Sequence, residues 1–291
     1  MKPSKWLFLF LIPGLILYVT FFIFPTLSAI FYSVTDWDGL TPDFNFVGID
    51  NFVNIFTNDF IFQKALGNNM KFMFFVVIFQ TLFSLIFALF LVKNTRSNVL
   101  LRAIYFFPTI LSSVSVAFIW SYMYDPSLGL INTLLTRFNI DFLSQNWLGD
   151  ADIAIYSIAI VQVWFHTGQM LIIFVAGLQG IPRELYEAAE VEGANRWQTF
   201  RKITWPLVAP AATIVVAYTT IQSFKAFDLI FAMTRGGPNY STEILATLIY
   251  STAFRNFEFG YASAQSVVFM IIIAIITTLQ FKMLNSNRVK Y

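Results

Sequence analysis

Residues 187–210 read EAAEVEGANRWQTFRKITWPLVAP, and this charge-rich stretch separates two strongly apolar segments of the chain. Glu and Ala are good helix formers, so the first six residues favour a helix. Gly193 is expected to end that helix, because glycine readily adopts positive φ. A short polar helical insert between apolar segments is typical of a chain that crosses a bilayer several times and presents the insert at one surface.

The composition supports a membrane protein. The 291 residues are 57% hydrophobic and 12% charged, with a mean hydropathy of +0.68, whereas soluble domains usually carry about 25% charged residues. The chain has no cysteine, which excludes disulfides, thiolate metal sites and thiol nucleophiles. A net charge of +2 is too small to indicate nucleic-acid binding. The chain also lacks a phosphate-binding glycine-rich motif, so any ATP would be bound by another subunit.

Six apolar stretches are long enough to cross the hydrocarbon core, which takes roughly 20 residues. The first follows Lys2 and Lys5, as in a signal peptide, but it is nearly twice as long as a typical signal-peptide apolar region, so we predict a retained helix. The sequence therefore predicts an all-α, six-span, single transmembrane domain over residues 1–291. The predicted spans are 6–32, 70–92, 103–124, 153–178, 206–232 and 261–282.

The distribution of basic residues predicts the orientation of the spans. Lys and Arg concentrate in cytoplasmic segments, so both termini and the insert are predicted to be cytoplasmic, whereas the outer loops collect aspartates and aromatic residues. The 33–65 and 125–150 loops are rich in Phe, Ile and Trp, and we expect them to pack onto the bundle. The predicted inner segments hold Lys2, Lys5, Lys93, Arg96, Arg102, Arg183, Arg196, Arg201, Lys202, Lys282, Arg288 and Lys290.

The insert at 182–204 is predicted to contain two short helices. Pro182 suits a first helical turn, and a helix then covers 183–192 before Gly193. A second helix is expected over Arg196–Ile203, with Pro206 and Pro210 opening the fifth span. A solvated helical hairpin with no partner would have the same local features.

The whole string resembles the EAA motif of ATP-binding cassette importer permeases. The usual Asp before the glycine is replaced by Glu192, which keeps the charge. The resemblance implies that the insert is a coupling helix that docks on a separate cytoplasmic ATPase dimer, and that this dimer binds ATP and Mg. The implied ATPase-coupling residues are Glu187, Ala188, Ala189, Glu192, Gly193 and Ala194; Phe200, Ile203, Pro206 and Pro210 also fall in register.

A second string, Asp228 to Pro238 with Thr242 following, is similar to the carbohydrate-uptake branch of that family. The resemblance extends over nearly the whole chain, and it implies a non-enzymatic subunit of a bacterial cell-membrane importer with no cofactor of its own. The implied partners are a second related permease, the ATPase dimer, an extracellular solute-binding protein, a sugar or oligosaccharide, and membrane lipid. Because glycerol-3-phosphate permeases share this branch, a polyol phosphate is the alternative solute.

Two polar stripes in the apolar spans are candidates for the solute pathway, since polar side chains at bilayer depth usually face a bundle interior or a cavity. Counted from the two motifs, the stripes fall where maltose permease contacts its sugar, although only the amide at Gln162 is similar in type. The alternative is that these side chains hold the helices together. The candidates are Gln162, Trp164, His166 and Gln169 in span four, and Thr219, Gln222, Ser223 and Ala226 in span five.

Lys225 and Asp228 are three positions apart, so on one helix they could form an ion pair. We interpret them as a structural pair, although a Lys225 that lined the pathway could favour an anionic solute. The span that contains His166 has no cysteine or carboxylate. His166 is therefore not expected to bind a metal or to belong to a catalytic triad. An ion-driven secondary transporter is a less favoured alternative, because such proteins tend to carry several intramembrane acids.

Overall fold

The computed structural model describes residues 10–285, and these form helices with only one isolated bridge, between Thr35 and Phe46, and no β-strand. The all-α prediction is confirmed. The helices are α1 Ile12–Tyr18, α2 Phe24–Tyr32, α3 Asp50–Thr57, α4 Phe60–Leu91, α5 Arg96–Phe106, α6 Ser113–Met123, α7 Leu130–Arg137, α8 Ala154–Gln179, α9 Arg183–Val191, α10 Arg196–Thr199, α11 Trp205–Phe224, α12 Phe227–Met233, α13 Leu245–Phe254 and α14 Phe259–Asn285.

Among the described residues, five helical segments are long and apolar enough to span a membrane, and a bent pair of helices can supply a sixth span. A π-helix joins α1 to α2, and the second span begins ten residues before its predicted start at residue 70. Residues 6–9 of the first predicted span lie outside the described residues. The five segments are Ile12–Tyr32, Phe60–Leu91, Ala154–Gln179, Arg196–Phe224 and Phe259–Met283.

The third predicted span, 103–124, is a bent pair of helices and not one continuous helix. Helix α5 passes into a 3₁₀ turn at Phe107–Ile110, and α6 leaves at 97° to the first part. Leu111 and Ser112 are both extended, with ψ of 155° and 133°. Thr109 Oγ1 donates a hydrogen bond to the Phe165 carbonyl at 3.0 Å, which ties the break to α8.

The predicted boundaries of the fifth span, 206–232, also differ from the structure. Helix α10 continues through a π-helix at Phe200–Thr204 straight into α11, so Pro206 lies in the first turn of α11 and opens no separate element. At the other end α11 stops at Phe224. A tight turn follows, in which the Phe227 N–H donates to the Lys225 carbonyl at 2.8 Å, and then α12 begins.

Backbone contacts group the chain into two compact units. The first contains described residues up to 63 together with 248–272. In it the 33–49 loop is folded on itself: the Asp36 carboxylate accepts from the backbone N–H and the side-chain amide of Asn45. Both bonds lower the pKa of Asp36, because they stabilise the ionised carboxylate. The Tyr32 and Trp37 rings stack 4.1 Å apart beside this loop.

The second unit contains residues 64–247 and those from 273 onward. Helix α8 is mostly buried and packs against α5, α11 and α12. Two glycines allow this close packing. A Cβ at Gly168 would overlap the Tyr105 carbonyl, and one at Gly177 would lie 2.7 Å from the Ala211 Cβ. The core of this unit therefore depends on helices whose backbones approach closely, as is common in membrane bundles.

The loop after α12 is fastened to α4 by side-chain amides. Asn68 Nδ2 donates to the carbonyls of Tyr240 and Glu243, each at 2.9 Å. Asn69 Oδ1 accepts from the Leu245 backbone N–H at 2.8 Å. These bonds join backbone groups of this partly buried loop to the helix.

We expect Gly168→Ala to destabilise the protein, because the new Cβ meets the backbone of Tyr105 and lies 2.7 Å from the Phe106 Cα. Such overpacking costs about 1–3 kcal/mol. The melting temperature of the purified protein in detergent, followed by tryptophan fluorescence, checks this. Gly67→Ala is the matched control, since a Cβ there meets nothing within 4 Å. Equal melting temperatures for the two variants would contradict the packing argument.

Candidate functional site

A polar cavity of about 410 Å³ lies in the second unit, between α8, α11, α12 and the start of α6. Its size falls within the range of small-molecule sites, about 300–1,000 Å³. The lining combines amides, hydroxyl groups, an imidazole and two charged side chains with apolar walls. The lining residues are Ser113, Gln162, Phe165, His166, Tyr218, Ile221, Gln222, Lys225, Ala226, Asp228 and Leu229.

Two interruptions of helical structure border this cavity. Ser113 is the first residue of α6 after the 97° bend, and Lys225 and Ala226 form the turn between α11 and α12. Non-helical backbone at membrane depth is tolerated where it is buried in protein or lines a cavity. The helix breaks between α5 and α6 and between α11 and α12 therefore shape the cavity.

The amides of the cavity are available for hydrogen bonding. Gln162 is only 3% exposed, yet its side-chain amide has no hydrogen-bond partner among residues 10–285. Gln222 Oε1 is likewise without a partner in the described part of the chain. The Tyr218 hydroxyl accepts from Gln169 Nε2 at 3.2 Å. Amides and hydroxyls both donate and accept, so the cavity can bind a solute that does the same.

The structure brings four of the predicted pathway residues together at the cavity, namely Gln162, His166, Gln222 and Ala226. Gln169 reaches the lining only through its bond to Tyr218. Trp164 is outside the lining: it is 43% exposed, and its ring lies 5.4 Å from that of Trp120.

Thr219 and Ser223 face a different side of α11 from Gln222. Both are fully buried; Thr219 Oγ1 accepts from Gln80 Nε2 of α4 at 3.5 Å, and Ser223 Oγ donates to the Thr219 carbonyl at 2.7 Å. On a helix with about 100° per residue, positions 219 and 223 share one face and position 222 lies to its side. For these two residues the geometry matches the alternative in which polar side chains join helices.

Lys225 and Asp228 are arranged differently from the sequence-based expectation. The turn at Lys225 and Ala226 places the two residues on separate elements, so the helical three-residue spacing does not apply. Both line the same cavity as Gln222. No ion pair within 4.0 Å joins them in the described residues.

Sequence reasoning missed Ser113 and Tyr218. The helix break before Ser113 lies in an apolar segment whose composition predicts one continuous helix. Pro108 and the Ser112–Ser113 pair are weak indications of an interruption. Tyr218 is four residues before Gln222, hence on the same helical face. The polar hydroxyl at that spacing could have been used to find it.

The insert at 182–204 forms a defined surface segment. Helix α9 contains Glu187, Ala188 and Ala189 and ends at Val191. Gly193 follows with a φ of +70°, as expected for a glycine at a helix end. The Ala194 N–H then donates to the Ala189 carbonyl at 2.9 Å, a typical glycine-terminated helix end. Ala189 is buried, whereas the other EAA-string residues from Glu187 to Gly193 are exposed.

The second half of this segment is fastened to the apolar helix that follows. Asn195 caps α10 in a reciprocal capping box with Gln198, and α10 continues through the π-helix into α11 without a break. The hydroxyls of Tyr186 and Thr204 are 3.2 Å apart, which connects α9 to the π-helix. One helical rod thus runs from the surface segment to the cavity.

The chain is similar to known transport proteins over nearly its whole length. The chain is 37% identical over 278 residues to the multiple sugar-binding transport system permease protein MsmF of Streptococcus mutans, covering 96% of this chain and 94% of that one. It is 33% identical over 290 residues to the sn-glycerol-3-phosphate transport system permease protein UgpA of Escherichia coli, covering 99% and 97%.

Among solved structures, a chain of a bacterial ABC transporter involved in the import of the acidic polysaccharide alginate has the same fold. It superposes with a TM-score of 0.84 at 22% identity, covering 98% of this chain and 96% of that one. Residues 69–290 match the model of the binding-protein-dependent transport system inner membrane components. The chain belongs to that family, and it is a multi-pass membrane protein and an ABC transporter permease.

We expect the cavity to admit water and polar reagents. Because the chain has no native cysteine, Ser113→Cys and Gln222→Cys can each be reacted with a small water-soluble thiol reagent. Both cysteines should react at least about tenfold faster than Ser223→Cys, because thiol reactivity follows exposure. Ser223 lies on the same helix as Gln222 but is fully buried. Alkylation rates measured by mass spectrometry check this, and equal rates at positions 222 and 223 would contradict a hydrated cavity.

Proposed function

We propose that this chain is one transmembrane subunit of an ATP-driven sugar importer and forms the translocation pathway together with a second, related permease. The observation that carries the proposal is the unbroken rod from the surface segment to the cavity-lining residues of α11. The likeness to MsmF supports a sugar as the solute. An extracellular solute-binding protein would deliver the sugar to the outer side.

The surface segment is the proposed contact for a cytoplasmic ATPase dimer. Its exposed Glu187, Ala188 and Glu192 offer two charges and a small side chain at which a partner can approach closely. Movement of this segment would pass along α10 and α11 from Arg196 to Gln222, a distance of about 40 Å at 1.5 Å per residue. The rod would therefore tilt as a lever and alter the cavity walls.

ATP and Mg are assigned to the partner ATPase and not to this chain. The sequence lacks a glycine-rich phosphate-binding motif, and the proposed role here is mechanical. The chain would act as a conduit and transmission element, without catalytic residues of its own.

A second candidate solute is glycerol-3-phosphate or another polyol phosphate, carried by the same machinery. Two observations favour it: the likeness to UgpA over 99% of the chain, and the position of Lys225 at the cavity. The neutral donors and acceptors of Gln162, Tyr218 and Gln222 suit the hydroxyl groups of either solute. An ion-driven transporter is less favoured, because Asp228 is the single carboxylate lining the described cavity.

The proposed orientation places the surface segment in the cytoplasm and the 125–150 loop outside. Glu187→Cys should therefore resist a membrane-impermeant thiol reagent on intact cells, whereas Ser127→Cys should react; both positions are exposed in the structure. Opening the cells should make Glu187→Cys reactive. Labelling of Glu187→Cys on intact cells would reverse the topology and refute the docking of an internal ATPase.

We expect Gly193→Pro to uncouple ATP hydrolysis from uptake while the complex still assembles. Proline fixes φ near −65°, which is incompatible with the +70° at this position, and it removes the N–H that donates to the Glu190 carbonyl at 3.0 Å. ATPase activity and sugar uptake are measured together in proteoliposomes that contain the full transporter and its binding protein.

Gly193→Asn is the matched control, because asparagine tolerates positive φ and an added Cβ there meets nothing within 4 Å. The control should keep most uptake. Normal uptake by Gly193→Pro would show that the segment does not transmit movement. Transport by wild-type protein in the absence of any ATPase would refute the importer class itself.

A further inference from the structure

We infer that Lys225 and Asp228 act together as a charge-balanced pair that selects neutral, polyhydroxylated solutes over anionic ones. The inference rests on the proposed function, and it decides between the two candidate solutes named there. It concerns the polarity of the cavity and not the identity of any particular sugar.

The first observation is that both charges are directed to the cavity by the turn between α11 and α12. Both residues line it, and neither side chain has an ion-pair or hydrogen-bond partner among residues 10–285. Charged groups in membrane segments are expensive and are generally retained for function. A purely structural pair would be expected to make direct contact, which these residues do not.

The second observation is the charge of the complete lining. Lys225 and Asp228 are the only Lys, Arg, Asp or Glu residues among the described residues that line the cavity. Their formal charges cancel. An anion placed beside Lys225 would also lie in the cavity with the Asp228 carboxylate, and like charges repel each other.

The third observation is the complementarity of hydrogen-bonding groups. A lysine ammonium only donates and an ionised carboxylate only accepts, whereas a hydroxyl does both. A sugar with neighbouring hydroxyls can therefore satisfy Lys225 and Asp228 at once through charge-assisted bonds. Gln162 and Gln222 supply the neutral donors and acceptors beside them. A phosphate or carboxylate group has no hydrogen to donate to Asp228.

The test uses the full transporter in lipid nanodiscs, with Ser113→Cys as the reporter in the cavity. A solute that occupies the cavity slows alkylation of this cysteine, so the half-protecting concentration measures occupancy without the external binding protein. The probes are maltose and raffinose as neutral sugars, and glycerol-3-phosphate and glucuronate as anions. ATP-driven uptake is measured on the same preparations with the binding protein added.

We expect a neutral sugar to protect the parent protein at concentrations at least about tenfold below either anion. Lys225→Gln should weaken protection by that sugar about 10- to 100-fold, the usual effect of losing a hydrogen bond to a charged group. Asp228→Asn should instead lower the half-protecting concentration of the anions about tenfold or more, because the cavity becomes net positive. The double variant Lys225→Gln with Asp228→Asn should bind all probes weakly and keep the preference for neutral ones.

Asp152→Asn is the matched control, since it removes an exposed carboxylate outside the cavity and should leave every protection constant unchanged. Equal or better protection of the parent protein by glycerol-3-phosphate overturns the inference and leaves an importer for a polyol phosphate. Unchanged selectivity in both single variants, in complexes of normal size and melting temperature, overturns it too. If no probe protects but sugar uptake persists, the inference fails alone; if uptake is absent as well, the proposed function fails.

Discussion

The structure depends on one constraint of the lipid environment: backbone N–H and C=O groups need partners within the protein wherever water is absent. Two segments break this continuity, one between α5 and α6 and one between α11 and α12. Helix α8 lies beside the first break, where Thr109 bonds to the Phe165 carbonyl. Gly168 lets the backbone of this segment approach α8 closely. Both breaks border the cavity, through Ser113 on one side and through Lys225 and Ala226 on the other.

The same arrangement connects two regions of different character. The surface segment is polar and exposed, whereas the cavity lies between apolar helices, yet α10, the π-helix and α11 join them in one continuous helix. The Tyr186–Thr204 contact adds α9 to that rod. Under the proposed function, a force applied to the exposed end would be carried along this helix to Gln222. This continuity is what makes a mechanical role physically reasonable for the chain.

Features governed by composition or by local chemistry could be predicted from the sequence. The apolar stretches gave the spans, because length and hydropathy determine which segments enter lipid, and Gly193 gave a helix end, because few other residues adopt its φ. The breaks at Leu111–Ser112 and Lys225–Ala226 lie in segments whose hydropathy looks continuous. Tertiary contacts such as Thr109 to Phe165 stabilise them, and no local pattern encodes those contacts. Missing the second break led to the wrong geometry for Lys225 and Asp228.

The π-helix at Phe200–Thr204 has a consequence for how this architecture can evolve. A π-turn accommodates one residue more than an α-turn, so such a turn can absorb a single inserted residue within an otherwise regular helix. Here it lies between the exposed segment and the residues that line the cavity. In relatives that gain or lose one residue in this stretch, α10 and α11 could each keep the same side chains facing the same way. Docking surface and solute selectivity could then diversify independently, although they share one helix.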